Sequence, residues 1–259
     1  MNGQILSSDL FPSPNPNVSL FIVTYLSEGL KVKGLLAEPK KGGTFEGLLY
    51  LRGGIKNKGK VRPARVAQFS QEGFIVFAPF YRGNQGGEGV EDFGGMDRFD
   101  AFSGFELLKQ HPRLKDNRIH IFGISRGGLM ALWTAINYPE ATSVVTWGGV
   151  SDIFLTYEER MDLRKMLKRV IGGTPYSKPK LYRFRSPLFE MKKLSSPLLI
   201  IHGKQDQNVS FSHALKLEKY ARTLKKQVET WYFDNFSHYF PPKENRKITE
   251  AVARWMKNQ

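Results

Sequence analysis

The stretch Arg118-Ile119-His120-Ile121-Phe122-Gly123-Ile124-Ser125-Arg126-Gly127-Gly128-Leu129 decides the reading of this chain. Arg118 to Phe122 has the composition of a short strand, and Leu129 to Tyr138 has helical spacing that stops at Pro139. Between them, Gly123-Ile124-Ser125-Arg126-Gly127 has glycines on both sides of a serine. A turn this sharp holds the serine in a strained conformation, and side chains at 123 and 127 would meet neighbouring backbone. The serine hydroxyl is then presented at the end of a strand, beside a helix N-terminus whose unpaired N–H groups favour negative charge. Ser125 is the candidate nucleophile, and the main-chain N–H of Arg126 a candidate oxyanion donor.

Outward from this stretch, short apolar runs alternate with helical spacing. The runs are Gly47–Leu51, Phe74–Pro79, Thr142–Trp147, Pro197–His202 and Val228–Phe233. Helical spacing covers 61–71, 99–110, 211–224 and 248–256. This alternation predicts an α/β fold, a doubly wound and mostly parallel sheet buried on both faces. Chemistry then belongs after Leu51, Pro79, Phe122, Trp147, Ile201 and Phe233, at the carboxyl ends of the runs. Val18–Leu26 and Leu30–Ala37 flank Ser27-Glu28-Gly29 and read as an opening hairpin. Residues 1–17 read as an irregular arm because of Ser13-Pro14-Asn15-Pro16-Asn17. Residues 18–259 form one domain, with 151–186 as a cap inserted over the site. Arg160 to Arg169 reads as one helix whose apolar face is Met161, Leu163, Met166, Leu167 and Val170.

A serine hydroxyl needs a base, and histidine suits neutral pH. Of five histidines, His111 ends a helix, His120 is inside a strand, His202 ends a run and His213 lies in a helix. His238 follows the last run, on a loop at the chemical end of the sheet, and is the candidate base. The acid that orients it is Asp206, a few residues past Ile201 and His202. Asp152, after the fourth run, and Asp234 are its competitors. The order Ser, Asp, His is that of the α/β-hydrolases. A second oxyanion donor is placed at the N–H of Gly54, in Arg52-Gly53-Gly54-Ile55.

The glycine-rich Tyr81-Arg82-Gly83-Asn84-Gln85-Gly86-Gly87-Glu88-Gly89 lacks the pattern of a phosphate loop and reads as a shaped loop beside the site. Arg52, Tyr81 and Arg82 are the candidate substrate-binding residues, and Arg52, Arg82 and Arg126 make an electropositive mouth unless they pair with Glu88 or Asp97. There is no cysteine, which removes disulfides and thiolate chemistry, and no carboxylate or histidine cluster has metal spacing. The net charge of +15 is dispersed along the chain, so neither nucleic acid nor membrane is expected as a partner. Met1 to Val18 lacks the pattern of a signal peptide, and the expected location is cytoplasmic.

Together these residues resemble the catalytic domain of the prolyl oligopeptidase family, the S9-type serine peptidases and esterases. The resemblance runs from about Val18 onward. It is carried by Arg52-Gly53-Gly54, Tyr81-Arg82-Gly83, Gly123 to Gly128, Ser186-Pro187-Leu188, Pro197 to Asp206 with Val209, and Ser237-His238. It implies a sheet of about eight strands and a Ser125, Asp206, His238 triad. Two positions depart from the family's habit: Arg52 stands where histidine or tyrosine is frequent, and Arg126 where tyrosine often follows the nucleophile. A β-propeller like that of the larger peptidases is not expected within these 259 residues.

The expected function is cleavage of ester or amide bonds in small ester or short peptide substrates through an acyl-enzyme, with no cofactor. This makes the chain a carboxylesterase or an oligopeptidase-like serine peptidase. The alternatives are a non-catalytic binding protein on the same fold and a polyanion binder motivated by charge alone. Oligomeric state is not legible in the sequence.

Overall fold

The computed structural model describes residues 1–56 and 58–259. Strand β4 (Phe45–Leu51) shows how the sheet is held. Its Leu49 and Leu51 join one apolar cluster with Phe77 and Ile121, while Leu48 and Tyr50 join another with Val76 and Phe122. Successive side chains of a strand point to opposite faces, so a wholly apolar run is one covered on both sides. Helices α2 (Arg98–Lys109), α3 (Arg126–Asn137) and α7 (Phe211–Thr223) cover the first face. Helices α1 (Pro63–Gln71) and α8 (Pro242–Lys257) cover the second. Burying each such side chain contributes about 1.5–3 kcal/mol, and this fixes where the strand ends lie.

The sheet has nine strands in the order β1-β2-β3-β5-β4-β6-β7-β8-β9. β1 (Ile5–Phe11), β2 (Val18–Ser27) and β3 (Leu30–Pro39) are antiparallel, and β3 pairs antiparallel with β5 (Phe74–Pro79). From β5 onward every pairing is parallel, through β4, β6 (Leu114–Ile124), β7 (Ser143–Trp147), β8 (Leu198–Gly203) and β9 (Val228–Phe233). The chain steps outward from β4 to β5, then crosses back to β6 on the other side of β4. That reversal opens a crevice at the carboxyl ends of β4 and β6, where α/β sheets bind ligands.

Two expectations need correction. The N-terminal arm is not irregular: Ile5–Phe11 is a strand, paired with β2 from Ser7↔Thr24 to Phe11↔Leu20. The Pro14 and Pro16 segment breaks regular structure only where it stands, and the residues before it are free to satisfy their backbone groups against β2. This also raises the strand number from about eight to nine. The basic segment Arg160–Arg169 is not one helix. α4 (Ile153–Glu159) ends at Arg160, a 3₁₀ turn covers Met161–Leu163, and α5 spans Arg164–Ile171. The Arg160 guanidinium folds onto Asp162 at 2.9 and 2.7 Å, and Met161 is 74% exposed rather than part of an apolar face.

Between β7 and β8 the chain is helical, with α4, α5 and α6 (Pro179–Arg185). This segment is tied to the loop before α2 by Arg185 with Asp92 at 3.0 Å, and to the start of α2 by Arg98 Nη1 donating to the Phe184 carbonyl at 2.7 Å. Among the described residues, no helix is long and apolar enough to cross a membrane.

Candidate active site

Ser125 joins β6 to α3 with φ 57° and ψ −126°. The flanking glycines are required by contact. A Cβ on Gly123 would lie 2.0 Å from the Gly127 carbonyl oxygen, and one on Gly127 would lie 2.0 Å from the Leu51 carbonyl oxygen. The turn is pinned on both sides. Ser125 N–H donates to Trp147 O at 3.1 Å, and Ser125 O accepts from Gly128 at 2.9 Å and Val150 at 3.0 Å. Ser125 itself remains partly exposed.

Asp206 lies just past β8, and each of its oxygens has a different task. Oδ1 accepts the N–H groups of Asn208 at 2.8 Å and Val209 at 2.9 Å, which fixes the carboxylate to its own loop. Oδ2 faces His238 Nδ1 at 2.7 Å. His202 Nε2 donates to Val209 O at 2.9 Å and stands 3.4 Å from the same Oδ2. Lys204 N–H to Phe233 O and Gln205 N–H to Phe236 O join this loop to the one carrying His238. Burial alone would raise the Asp206 carboxyl, but hydrogen bonds from His202 and His238 hold it well below the usual carboxylate range. An ionised partner of this kind orients an imidazole.

Ser125, Asp206 and His238 are each placed against the end of β7. Trp147 O holds Ser125, and a Cβ on the next residue, Gly148, would lie 3.1 Å from Asp206 Oδ2 and 3.2 Å from His238 Nδ1. Among the described residues no hydrogen bond joins Ser125 Oγ to His238 in this conformation. In ligand-free hydrolases that bond is often long and tightens on substrate.

The loop after β4 lies against the serine. A Cβ on Gly53 would be 2.6 Å from Ser125 Cβ and 3.2 Å from Ser125 Oγ. The N–H groups of Gly53 and Gly54 find no acceptor among the described residues. The Arg126 N–H lies in the first turn of α3, where an intrahelical acceptor is lacking.

The structure places Arg52, Tyr81 and Arg82 in a buried network rather than at an electropositive mouth. They are 3%, 0% and 6% exposed. Arg82 is bonded to Asp100 through Nε and Nη2, and Glu88, one of its expected partners, accepts from the Lys31 N–H instead. Arg52 reaches Glu91, and Arg126 reaches both Glu91 and Asp97. Both guanidinium groups lie against the Tyr81 ring, at 5.0 and 4.7 Å from its centre. Burial would lower the Arg126 pKa, but Asp97 and Glu91 outweigh it and raise it. Burial raises Asp97 to about 7 against the pull of Arg126, and its acidic neighbours Asp92 and Asp100 add to the rise.

Sequence reasoning missed Glu91 and Asp100 as partners. The available signal was the density of carboxylates, Glu88, Glu91, Asp92, Asp97 and Asp100, within a strongly basic chain. The competing acids are engaged elsewhere. Asp152 caps α4 and pairs with Lys216 at 2.6 Å, and Asp234 pairs with Lys204 on the surface. His111, His120 and His213 pair with Glu38, Glu46 and Glu159. A cavity of about 280 Å³ beside the β4 loop has Phe11, Ile22, Leu35 and Phe80 in its lining, which includes none of Ser125, Asp206 and His238.

The profile of the prolyl oligopeptidase family matches residues 60–259. The chain belongs to the prolyl oligopeptidase family. This family member is a serine-peptidase-like hydrolase. It is 59% identical over 256 residues to the uncharacterized peptidase YtmA of Bacillus subtilis (strain 168), covering 98% of this chain and 100% of that one. Its fold is that of the Pyrococcus horikoshii acylaminoacyl peptidase, with TM-score 0.77 and 20% identity over 98% of this chain and 49% of the other. An acetyl xylan esterase from Paenibacillus sp. R4 is equally similar in fold, with TM-score 0.77 and 16% identity over 97% of this chain and 88% of the other. The chain thus spans about half the length of the solved acylaminoacyl peptidase and most of the esterase.

Proposed function

We propose that this family member cleaves ester or amide bonds of small acyl or short peptide substrates through an acyl-enzyme on Ser125. The observation that carries this reading is the buried 2.7 Å contact of His238 Nδ1 with Asp206 Oδ2, at the same strand ends as the serine of the β6–α3 turn. Ser125 Oγ attacks the carbonyl carbon while His238 Nε2 takes the hydroxyl proton. Asp206 holds the ring in the tautomer that leaves Nε2 open and stabilises the imidazolium. The tetrahedral oxyanion is received by the N–H groups of Arg126 and Gly54, and loss of one such donor typically lowers turnover by about 10²–10³. His238 then gives the proton to the leaving alcohol or amine. Water, deprotonated by His238, attacks the acyl carbon, and Ser125 leaves with the proton returned.

Family membership supports a peptide substrate, and the fold shared with an acetyl xylan esterase supports an ester. The same residues serve both, because the attacked carbon is a carbonyl in each case. The test is hydrolysis of a short-chain p-nitrophenyl ester beside aminoacyl and prolyl p-nitroanilides, with wild type and Ser125→Ala. Ester turnover lost in the variant supports an esterase, and anilide turnover lost in the variant supports a peptidase. Equal inactivity, with no fluorophosphonate labelling of wild type, would turn the reading to a binding protein.

A further inference from the structure

An oxyanion hole needs two N–H groups from separate parts of the chain aimed at one oxygen, and small displacements weaken it. Here the donors sit on the first turn of α3 and on the glycine loop after β4. Glu91 joins the two. Its Oε1 accepts from Arg126 Nη2 at 2.5 Å and from Arg52 Nη2 at 2.9 Å. Its Oε2 accepts the Lys56 N–H at 2.6 Å. The carboxylate therefore holds the glycine pair from both sides, through Arg52 before it and Lys56 after it. It also holds the side chain of the residue that follows Ser125. The three side chains in this arrangement, Arg52, Glu91 and Arg126, are 1–3% exposed.

Arg52 carries the restraint to the relevant bond. Its Nη1 donates to the Gly53 carbonyl at 3.0 Å. That carbonyl shares one planar trans peptide with the Gly54 N–H, and the two point in opposite directions. Fixing the oxygen fixes the direction of the N–H. Arg52 and Arg126, on the two donor-bearing segments, are thus joined through a single oxygen.

We propose that Glu91 is a positioning residue that locks the Arg126 and Gly54 N–H groups into one oxyanion-binding geometry, with Arg52 as its relay. This rests on the serine-hydrolase reading.

Removing Glu91 alone leaves the buried Arg52 guanidinium without a carboxylate, and Arg126 with Asp97 alone, and endangers folding. Glu91→Gln is therefore made alone and together with Arg52→Gln. The double variant keeps the Arg126–Asp97 pair and balances the buried charge. Both are assayed on the p-nitrophenyl ester and with two probes. One is an alkyl trifluoromethyl ketone, which forms a serine adduct with an oxyanion. The other is the matching alcohol, which cannot form that adduct. The expected result in each folded variant is a kcat about 10–10² lower, with KM changed less than about three-fold. Ketone affinity should fall by the same factor as kcat, with alcohol affinity unchanged. A purely structural role would lower the melting temperature without this split. A folded variant with kcat and ketone affinity within about three-fold of wild type overturns the proposal. If the single variant does not fold, the double variant decides. A wild-type activity that survives Ser125→Ala would instead remove the serine-hydrolase reading, which separates the two failures.

Discussion

His202 Nε2 stands 3.4 Å from Asp206 Oδ2, the oxygen that His238 Nδ1 reaches at 2.7 Å. Because His202 also bonds Val209 O, it ties the acid to the loop that carries it. His202→Phe leaves the buried Val209 carbonyl without this donor. The expected loss is about 1–3 kcal/mol of stability in urea denaturation. Ester turnover should fall less than about ten-fold, since the His238 contact remains.

Asp206→Asn puts an amide where the imidazole needs an acceptor. The amide oxygen can still serve Asn208 and Val209, so the loop keeps its shape, while the amide N–H₂ favours the wrong tautomer of His238. kcat should fall by about 10³–10⁴ with a small change in KM. The depressed Asp206 pKa also carries stability. That contribution is present above about pH 4 and is lost as pH falls toward the folded value. Acid unfolding of Asp206→Asn should show a shallower dependence on pH than wild type.

Ser125 holds a positive φ that a residue with a Cβ adopts at a penalty. Ser125→Gly should therefore raise the melting temperature, by the equivalent of about 1 kcal/mol, while abolishing turnover and fluorophosphonate labelling. Ser125→Ala should abolish activity without that gain. An equal melting temperature for the two variants would show that the turn is not strained.

Asp97 gives a pH signature of the opposite sign from Asp206. Its pKa is raised to about 7, chiefly by burial, so between about pH 4 and 7 the folded state binds the proton more tightly than the unfolded chain. Stability from this group falls as pH rises through that window. Asp97 also accepts the Phe93 and Gly94 N–H groups, so Asp97→Asn is destabilised throughout. The melting-temperature difference between wild type and variant should shrink as pH rises from about 5 to 7.

The central features were legible because they obey local rules. Gly123 and Gly127 announce a turn that only glycine fits, and the apolar runs on either side of Ser125 announce buried parallel strands. The helix read over Leu129–Tyr138, which the structure starts one turn earlier at Arg126, and the hairpin at Ser27–Gly29 follow from spacing and turn chemistry. What remained hidden depends on long-range pairing. β1 is a strand only because β2 offers its edge, and its own sequence lies beside a proline-rich segment. The fates of Arg52 and Arg82 were hidden for the same reason. A guanidinium reads alike whether it faces solvent or a carboxylate 39 residues away, as Glu91 is from Arg52.

The neutralised arginines divide the molecule electrically. Arg52, Arg82 and Arg126 are matched by Glu91, Asp97 and Asp100 inside the fold, so the surplus of +15 belongs to the outer surface. Surface charge acts at a distance and is screened by salt, whereas sealed pairs are screened far less. The rate on an uncharged ester should then be nearly flat with ionic strength from roughly 50 to 500 mM. With an anionic substrate, by contrast, capture should weaken as salt rises. Ionic strength thus becomes a dial that separates how substrates arrive from how they are cleaved.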